Sequence, residues 1–296
     1  MRFAKYINIE AVTKYFDKFK DRLKMYSIKD LMLTGTGKTR PLLSTASKKF
    51  DMQNGTNIAT KGIYLSPFDE IYRVTGIKGL GSCSGADKEC PSTCLIWGYH
   101  LNQVANINAR VKKTLYLHAY PMDFLNQIIG EIFAFDDASY ALGEYLQVRF
   151  NGTSDFPFEE WIHMDLLIQD SRSLKAFYDY SKILSRKSSA YYSVTYSVNG
   201  RSKPKTTLEK LLQGSIAVVV DNASYKKLLA LDSEFIINGD KSDHRPQDPI
   251  CTVVILRYKK YQGIDSSDIV SFVKDFDYVN DLIENNRKAL LDMRGS

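Results

Sequence analysis

The chain is sparing with the residues that specialised proteins use heavily, and each shortage closes a class. No apolar run approaches the roughly 18 residues of a membrane-spanning helix. The first 24 residues interrupt their apolar pattern with charges every few positions and offer no small-residue cleavage site. No signal peptide is expected, and the chain is expected to stay in the cytoplasm, off the membrane. Four cysteines in 296 residues, three of them crowded together, do not make a disulfide framework. No long Pro- or Ser-rich linker and no fixed-period repeat divides the sequence, which favours one domain over 1–296.

What is present points to a folded α/β protein. Hydrophobic residues make up 44% of the chain, enough for a sizeable core. Forty Lys and Arg against 34 Asp and Glu leave a net charge of +6, compatible with a polyanionic partner but below the density of a nucleic-acid coat protein. Within 1–30, Ala11, Val12, Tyr15, Phe16, Phe19 and Leu23 recur at helical spacing between Lys14, Lys18, Lys20 and Lys24. The pattern predicts a basic amphipathic helix that packs its aromatic stripe on the core.

Residues 32–100 are rich in Gly, Ser, Thr and Lys and read as long loops around one or two strands. From 102 to 135 the pattern turns helical, with Phe124, Leu125, Ile128, Ile129, Ile132 and Phe133 in one stripe after Pro121. Over 144–260, β-rich runs at 145–150, 176–180, 191–198, 216–220, 235–237 and 252–258 alternate with polar segments, and a helical segment is expected after each of the first four. Such βα units imply a parallel sheet, and their number suggests a partial or complete parallel (β/α) barrel, with an open doubly wound sheet as the alternative. A helix over 265–292 is expected to close the fold.

Three constellations carry chemistry. Gly35-Thr-Gly-Lys-Thr39 ends like a phosphate loop, but Met32 stands where that motif needs its first glycine, so the motif fails its own pattern. Cys83-x6-Cys90-x3-Cys94 places three thiols within twelve residues and can converge on one metal, either zinc or an iron-sulfur cluster. Its spacing differs from the C-x3-C-x2-C of radical-SAM enzymes, which share a partial barrel and an early cluster loop. The third constellation is a set of polar strand ends: Asn151, Thr153, Ser154 and Asp155; Tyr178, Asp179, Tyr180 and Lys182; Ser197; and Asp240, Asp243, Arg245 and Asp248. In a parallel sheet these share one edge, where ligands bind. Asp155, Asp179, Asp240 and Asp243 are candidates for proton transfer or cation binding, with Lys182 and Arg245 facing a phosphate. Tyr178 beside Lys182 is a candidate nucleophile for DNA nicking, although the companion His-hydrophobic-His motif is missing.

The segments LLSTASKK, the cysteine loop, Ala109-Arg110 with Lys113-Thr114, RFNGTSD, FYDYSK, YSVTYS and NGDKSDHRPQD, read in order, resemble the gene product 88 family of phage-encoded proteins over roughly 42–260. The resemblance implies a phage or mobile-element origin and a host cytoplasmic location, with no settled reaction to carry over. It also implies a Cys-x3-Cys pair, matched by Cys90 and Cys94, and an upstream cysteine matched by Cys83; Arg110, within a matched segment, is counted among the candidate ligand-binding residues. The expected function is a metal-dependent enzyme acting on nucleic acid or a nucleotide in phage replication or DNA modification. The alternatives are a non-enzymatic DNA-binding protein braced by structural zinc and, further off, a tyrosine-dependent nicking initiator.

Overall fold

A computed structural model describes residues 2–27, 30–31, 40–44, 57–98, 100–259, 269 and 271–295. The Gly35–Thr39 motif therefore lies outside the described residues. In chain order the elements are helix α1 (Ile9–Phe16), strands β1 (Leu43–Ser44) and β2 (Ile58–Ile63), and helices α2 (Glu70–Thr75), α3 (Cys90–Thr93), α4 (Val104–Ala119) and α5 (Pro121–Leu142). Then come β3 (Tyr145–Arg149), α6 (Phe158–Trp161), α7 (Met164–Gln169), β4 (Leu174–Ser181), β5 (Tyr192–Ser197), α8 (Pro204–Gln213) and β6 (Ser215–Val220). The chain continues through α9 (Asn222–Ala230), β7 (Ile236–Asn238), β8 (Thr252–Arg257), α10 (Phe276–Glu284) and α11 (Arg287–Gly295).

Local chemistry sets these boundaries. Asn8 caps α1 by accepting the Ala11 amide at 3.1 Å, and Asp221 and Asp275 cap α9 and α10 in the same way. Pro121 opens α5, where its missing N–H costs nothing, and Gly143 ends it at φ 70°, in the left-handed region that a side chain would resist. Val12, Phe16, Phe19 and Leu23 are buried while Lys14 and Lys18 are exposed, so the N-terminal stripe is a core-packing face. The expected C-terminal helix is two helices, α10 and α11, preceded by a turn that buries Phe272.

The strands form one eight-stranded sheet in the order β1-β2-β3-β4-β5-β6-β8-β7. β1 is antiparallel to β2, and every other pairing is parallel. From β2 to β6 the order follows the chain without the reversal that marks a doubly wound sheet. The sheet does not close, because β1 and β7 are its two ends, so the complete barrel is not formed. The helix expected after β4 is also missing, and residues 182–191 return to β5 as a loop. The reason is spatial: β4 and β5 pair along five registered positions, and a ten-residue loop suffices to return the chain.

The register separates two faces. Leu146 and Val148 of β3, Phe177 of β4, Tyr192 and Tyr196 of β5, Ile216, Val218 and Val220 of β6, and Val253 and Ile255 of β8 pack into two apolar clusters with residues of the helices. The opposite face is polar: Thr60, Gln147, Arg149, Tyr178, Tyr180, Thr195 and Ser197 share it, and none belongs to either cluster. Two carboxylates of α5 tie helix to sheet. Glu131 accepts the Leu42 and Leu43 amides beside β1, and Asp136 accepts those of Arg172, Ser173 and Leu174 at the start of β4.

Candidate thiol site at the sheet edge

The three cysteines lie on the long connection between β2 and α4, and this connection is held from several sides. Asp87 accepts the amides of Glu89 and Cys90 with one oxygen and that of Gly200 with the other. Glu89 accepts the Phe272 amide at 2.8 Å and the Ser271 hydroxyl. Upstream, a buried Glu70 carboxylate grips Arg110 at 2.5 and 3.0 Å, and Arg110 also donates to Leu101 O. Gly85 must be glycine here, because a Cβ would stand 2.9 Å from Lys182 Cβ and 3.0 Å from the Lys182 carbonyl carbon. That close approach presses the cysteine loop against the end of β4.

As a result Cys83, Cys90 and Cys94, all half-buried free thiols, come within electrostatic reach of Lys182. Burial pushes the Cys83 thiol up, with Cys90 and Asp155 adding to it, against the Phe68 amide and the Ser82 hydroxyl that favour its thiolate. Burial pushes Cys94 up to about 12, helped by Cys90 and Cys83 and opposed by the Ile96 amide and Lys182. Burial works against the Lys182 ammonium, yet Cys90, Asp155, Cys83 and Cys94 together lift its pKa above the ordinary value. Cys83 and Cys94 therefore each feel a neighbouring sulfur, and Cys94 also feels the Lys182 cation. Cys83 Sγ lies 4.0 Å from Thr153 O, and a cavity of about 390 Å³ lined by Phe68, Tyr72, Leu80, Gly81, Cys83 and Ser84 opens beside it. Among the described residues no three His, Cys, Asp or Glu side chains are already gathered into a cage that would hold a metal ion.

The strand ends do meet on one edge, but several of their side chains are committed to structure. Asp155 accepts the Lys182 amide with one oxygen and pairs with Arg186 through the other at 2.6 Å. Asp179 is fully buried, accepting the Asn151 amide and side chain, the Tyr192 hydroxyl and, at 3.5 Å, Arg186. Burial raises Asp179 to about 6 even with Arg186 pulling the other way. Thr153 and Ser154 bond to Leu65 O and Asn151 within the same turn. Sequence reasoning missed the centre of this network, Arg186, with its partners Glu159 and Tyr192, since nothing local distinguishes that arginine from a solvated one.

A second group forms where the loop after β7 returns over the polar face. Arg149 pairs with Asp243 at 2.6 Å and stacks over the Tyr180 ring, whose hydroxyl is 3.3 Å from the same carboxylate. Arg245 donates to Ser242 O and lies 2.9 Å from Asp248 without hydrogen-bond geometry. Tyr178 is buried and its pKa is raised well above the ordinary value, chiefly by burial, the opposite of what an attacking phenolate needs. Asp240 stands apart, accepting the Arg257 amide and lying 3.9 Å from Arg257 and Lys259. Arg110 is locked to Glu70 and not turned to a ligand. Lys182 Nζ is 3.5 Å from Ser197 Oγ, which joins the thiol site to the polar face.

These sites fall within the stretch that defines the chain's relatives. The family model for gene product 88 matches residues 39–271, and the chain belongs to that family. No curated protein and no solved structure matches it. No helix among the described residues is long and apolar enough to cross a membrane.

Proposed function

We propose that the protein is a metal-dependent enzyme whose centre is an iron-sulfur cluster or zinc held by Cys83, Cys90 and Cys94. One observation carries the reading: three thiols from a single loop act electrostatically on Lys182 at the C-terminal edge of a parallel sheet, the edge where α/β proteins bind their ligands. The donor set fits. Amides of Phe68 and Ile96 favour the thiolates of Cys83 and Cys94, and the Lys182 ammonium offsets the negative charge that metal-bound thiolates would gather. Closing a cage requires the sulfurs to turn inward on an ion, because the thiols as they stand do not form one. A metal bound there by three residues keeps a coordination position for substrate and supplies Lewis-acid or redox chemistry.

A catalytic role is favoured over a purely structural zinc because the loop is already secured without metal, by Asp87, Glu89 and the Glu70–Arg110 pair. The polar face behind Lys182 would make the edge the mouth of a partial barrel. Lys182, Arg149 and Arg245 around that mouth, with the overall charge of +6, support a nucleotide or nucleic acid as substrate in phage replication or DNA modification.

Metal analysis and an absorption spectrum on protein purified without oxygen test the reading. Iron with sulfide and a broad band near ~400 nm, or one equivalent of zinc, is expected in wild type, and loss of the metal is expected in Cys90→Ser. Wild type without bound metal, reconstituted or native, would refute it. For the substrate, log affinity for a short DNA should fall linearly with log salt; salt-independent binding would remove nucleic acid from the reading.

A further inference from the structure

The polar face of the sheet carries more buried hydrogen-bonding groups than the protein itself satisfies. Thr60 Oγ1 on β2, Gln147 Oε1 on β3, Tyr178 OH on β4 and Thr195 Oγ1 on β5 are all buried without a hydrogen-bond partner among the described residues. They lie on four successive strands, and the register puts them on the same face: Thr60 pairs with Gln147, Arg149 with Tyr178, and Tyr180 with Thr195. Arg245 Nε, from the loop above them, is unpartnered as well, and Arg245 is only 3% exposed. Buried polar groups are nearly always satisfied, and each exception calls for a physical cause. Four on one face of neighbouring strands, under an arginine with a spare donor, share one cause.

We infer that this face binds a small molecule bearing a monoanionic phosphate or carboxylate head, at a site separate from the three sulfurs. The charged groups are close to balanced: Arg149 and Arg245 stand against Asp243 and Asp248 around the cluster of Tyr64, Tyr178 and Tyr180, and Lys182 at the border also answers Asp155, so the spare donors set the sign of the ligand. The spare groups set its character. Three hydroxyls and a guanidinium N–H are donors, as an anionic head needs, while Gln147 Oε1 can accept from a hydroxyl or amine on the remainder. Lys182 lies between this face and the thiols, so the bound head would point toward the candidate centre. The inference stands on the unpartnered groups and does not require a metal.

The test uses the whole chain and two head-group probes, inorganic phosphate and acetate, with chloride at matched ionic strength as control. Saturable stabilisation by one probe or both is expected, about 2–3 °C in melting temperature at ten times Kd. Which of the two saturates distinguishes a phosphate from a carboxylate head. Tyr178→Phe and Thr195→Val each delete a hydroxyl that has no hydrogen-bond partner among the described residues, so the unliganded melting temperature should hold or rise while the anion shift falls by at least half. Both single variants and the double are measured, so that one misfolding variant cannot decide the outcome. The proposal is overturned if neither anion exceeds chloride. It is also overturned if the shift is equal in wild type and the variants, which would make these hydroxyls hosts of buried water only. The same titration on Cys90→Ser separates the two readings: a retained shift in that variant leaves this site standing whatever happens at the thiols, while the metal centre falls only if wild type itself holds no metal.

Discussion

Replacing Arg186 with methionine should expose how the sheet edge is held together. The guanidinium, 3% exposed, binds Asp155 at 2.6 Å, Glu159 at 2.6 and 2.7 Å and Asp179 at 3.5 Å, and it touches the Tyr192 hydroxyl. Methionine keeps most of the volume and removes the charge, leaving Asp179 at 0% exposure and Asp155 at 8% without their cation. Uncompensated buried charge of this kind costs about 3–5 kcal/mol. Glu159, more exposed, should add little. Asp179 already has its pKa raised to about 6 by burial, with Arg186 holding it down, so the substitution moves it further up. A carboxyl whose folded pKa lies above its unfolded value keeps its full stability below the unfolded pKa and loses it as pH rises through the folded one. The penalty should therefore be largest at pH 7 and shrink by roughly 1–2 kcal/mol at pH 5. Urea unfolding followed by circular dichroism at both pH values measures it, and Arg186→Met combined with Asp179→Asn should recover part of the loss at pH 7. A loss under about 1 kcal/mol at pH 7, or the same loss at both pH values, would refute this account.

Other substitutions probe other joints. Asp136→Ala removes the acceptor of three backbone amides ahead of β4 and should cost about 2–4 kcal/mol in chemical denaturation; a cost below about 1 would show that water replaces the carboxylate. Glu70→Gln leaves Arg110 buried and unpaired, and both a stability loss of about 3–5 kcal/mol and faster proteolysis within 66–98 are expected; an intact proteolytic pattern would dissociate that pair from the cysteine loop. Burial raises Asp248 to about 6 against the pull of Arg245, so its contribution weakens as pH rises from about 4 through 6. Asp248→Asn should flatten the pH dependence of melting across that window, and an unchanged profile would count against the raised value.

The sequence made visible what depends on neighbours along the chain. The run at 145–150 became Tyr145–Arg149, that at 216–220 became Ser215–Val220, and that at 252–258 became Thr252–Arg257, because β-rich composition between turn residues is a local signal. The cysteine spacing was equally local, but whether the three thiols close on one ion is not a property of spacing, and among the described residues they form no cage. Pairings across the chain were beyond its reach. Nothing near Arg186 announces Glu159, 27 residues earlier, and nothing near Arg149 announces Asp243, 94 residues later. The helix expected after β4 failed because alternating composition cannot tell a crossover that carries a helix from one made by a loop. The barrel failed to close for a similar reason, since strand count says nothing about whether the last strand meets the first. Four of the strand-end residues, Asn151, Thr153, Asp155 and Asp179, were legible as polar, while their use within the protein was not.

The Arg149–Asp243 bond spans a chord of the sheet. Five strand spacings separate β3 from β7, about 24 Å if the sheet were flat. Asp243 follows the end of β7 by only five residues, a reach of about 17 Å before side chains are added. The two side chains add roughly 9 Å, so a flat sheet would be bridged only by a fully extended loop and arginine, and the bond favours a curled polar face. Amide exchange in β7, the edge strand, should then quicken when Asp243 is changed to Asn, while exchange in β3 and β4 stays slow: the far edge would be the part of the molecule that opens first.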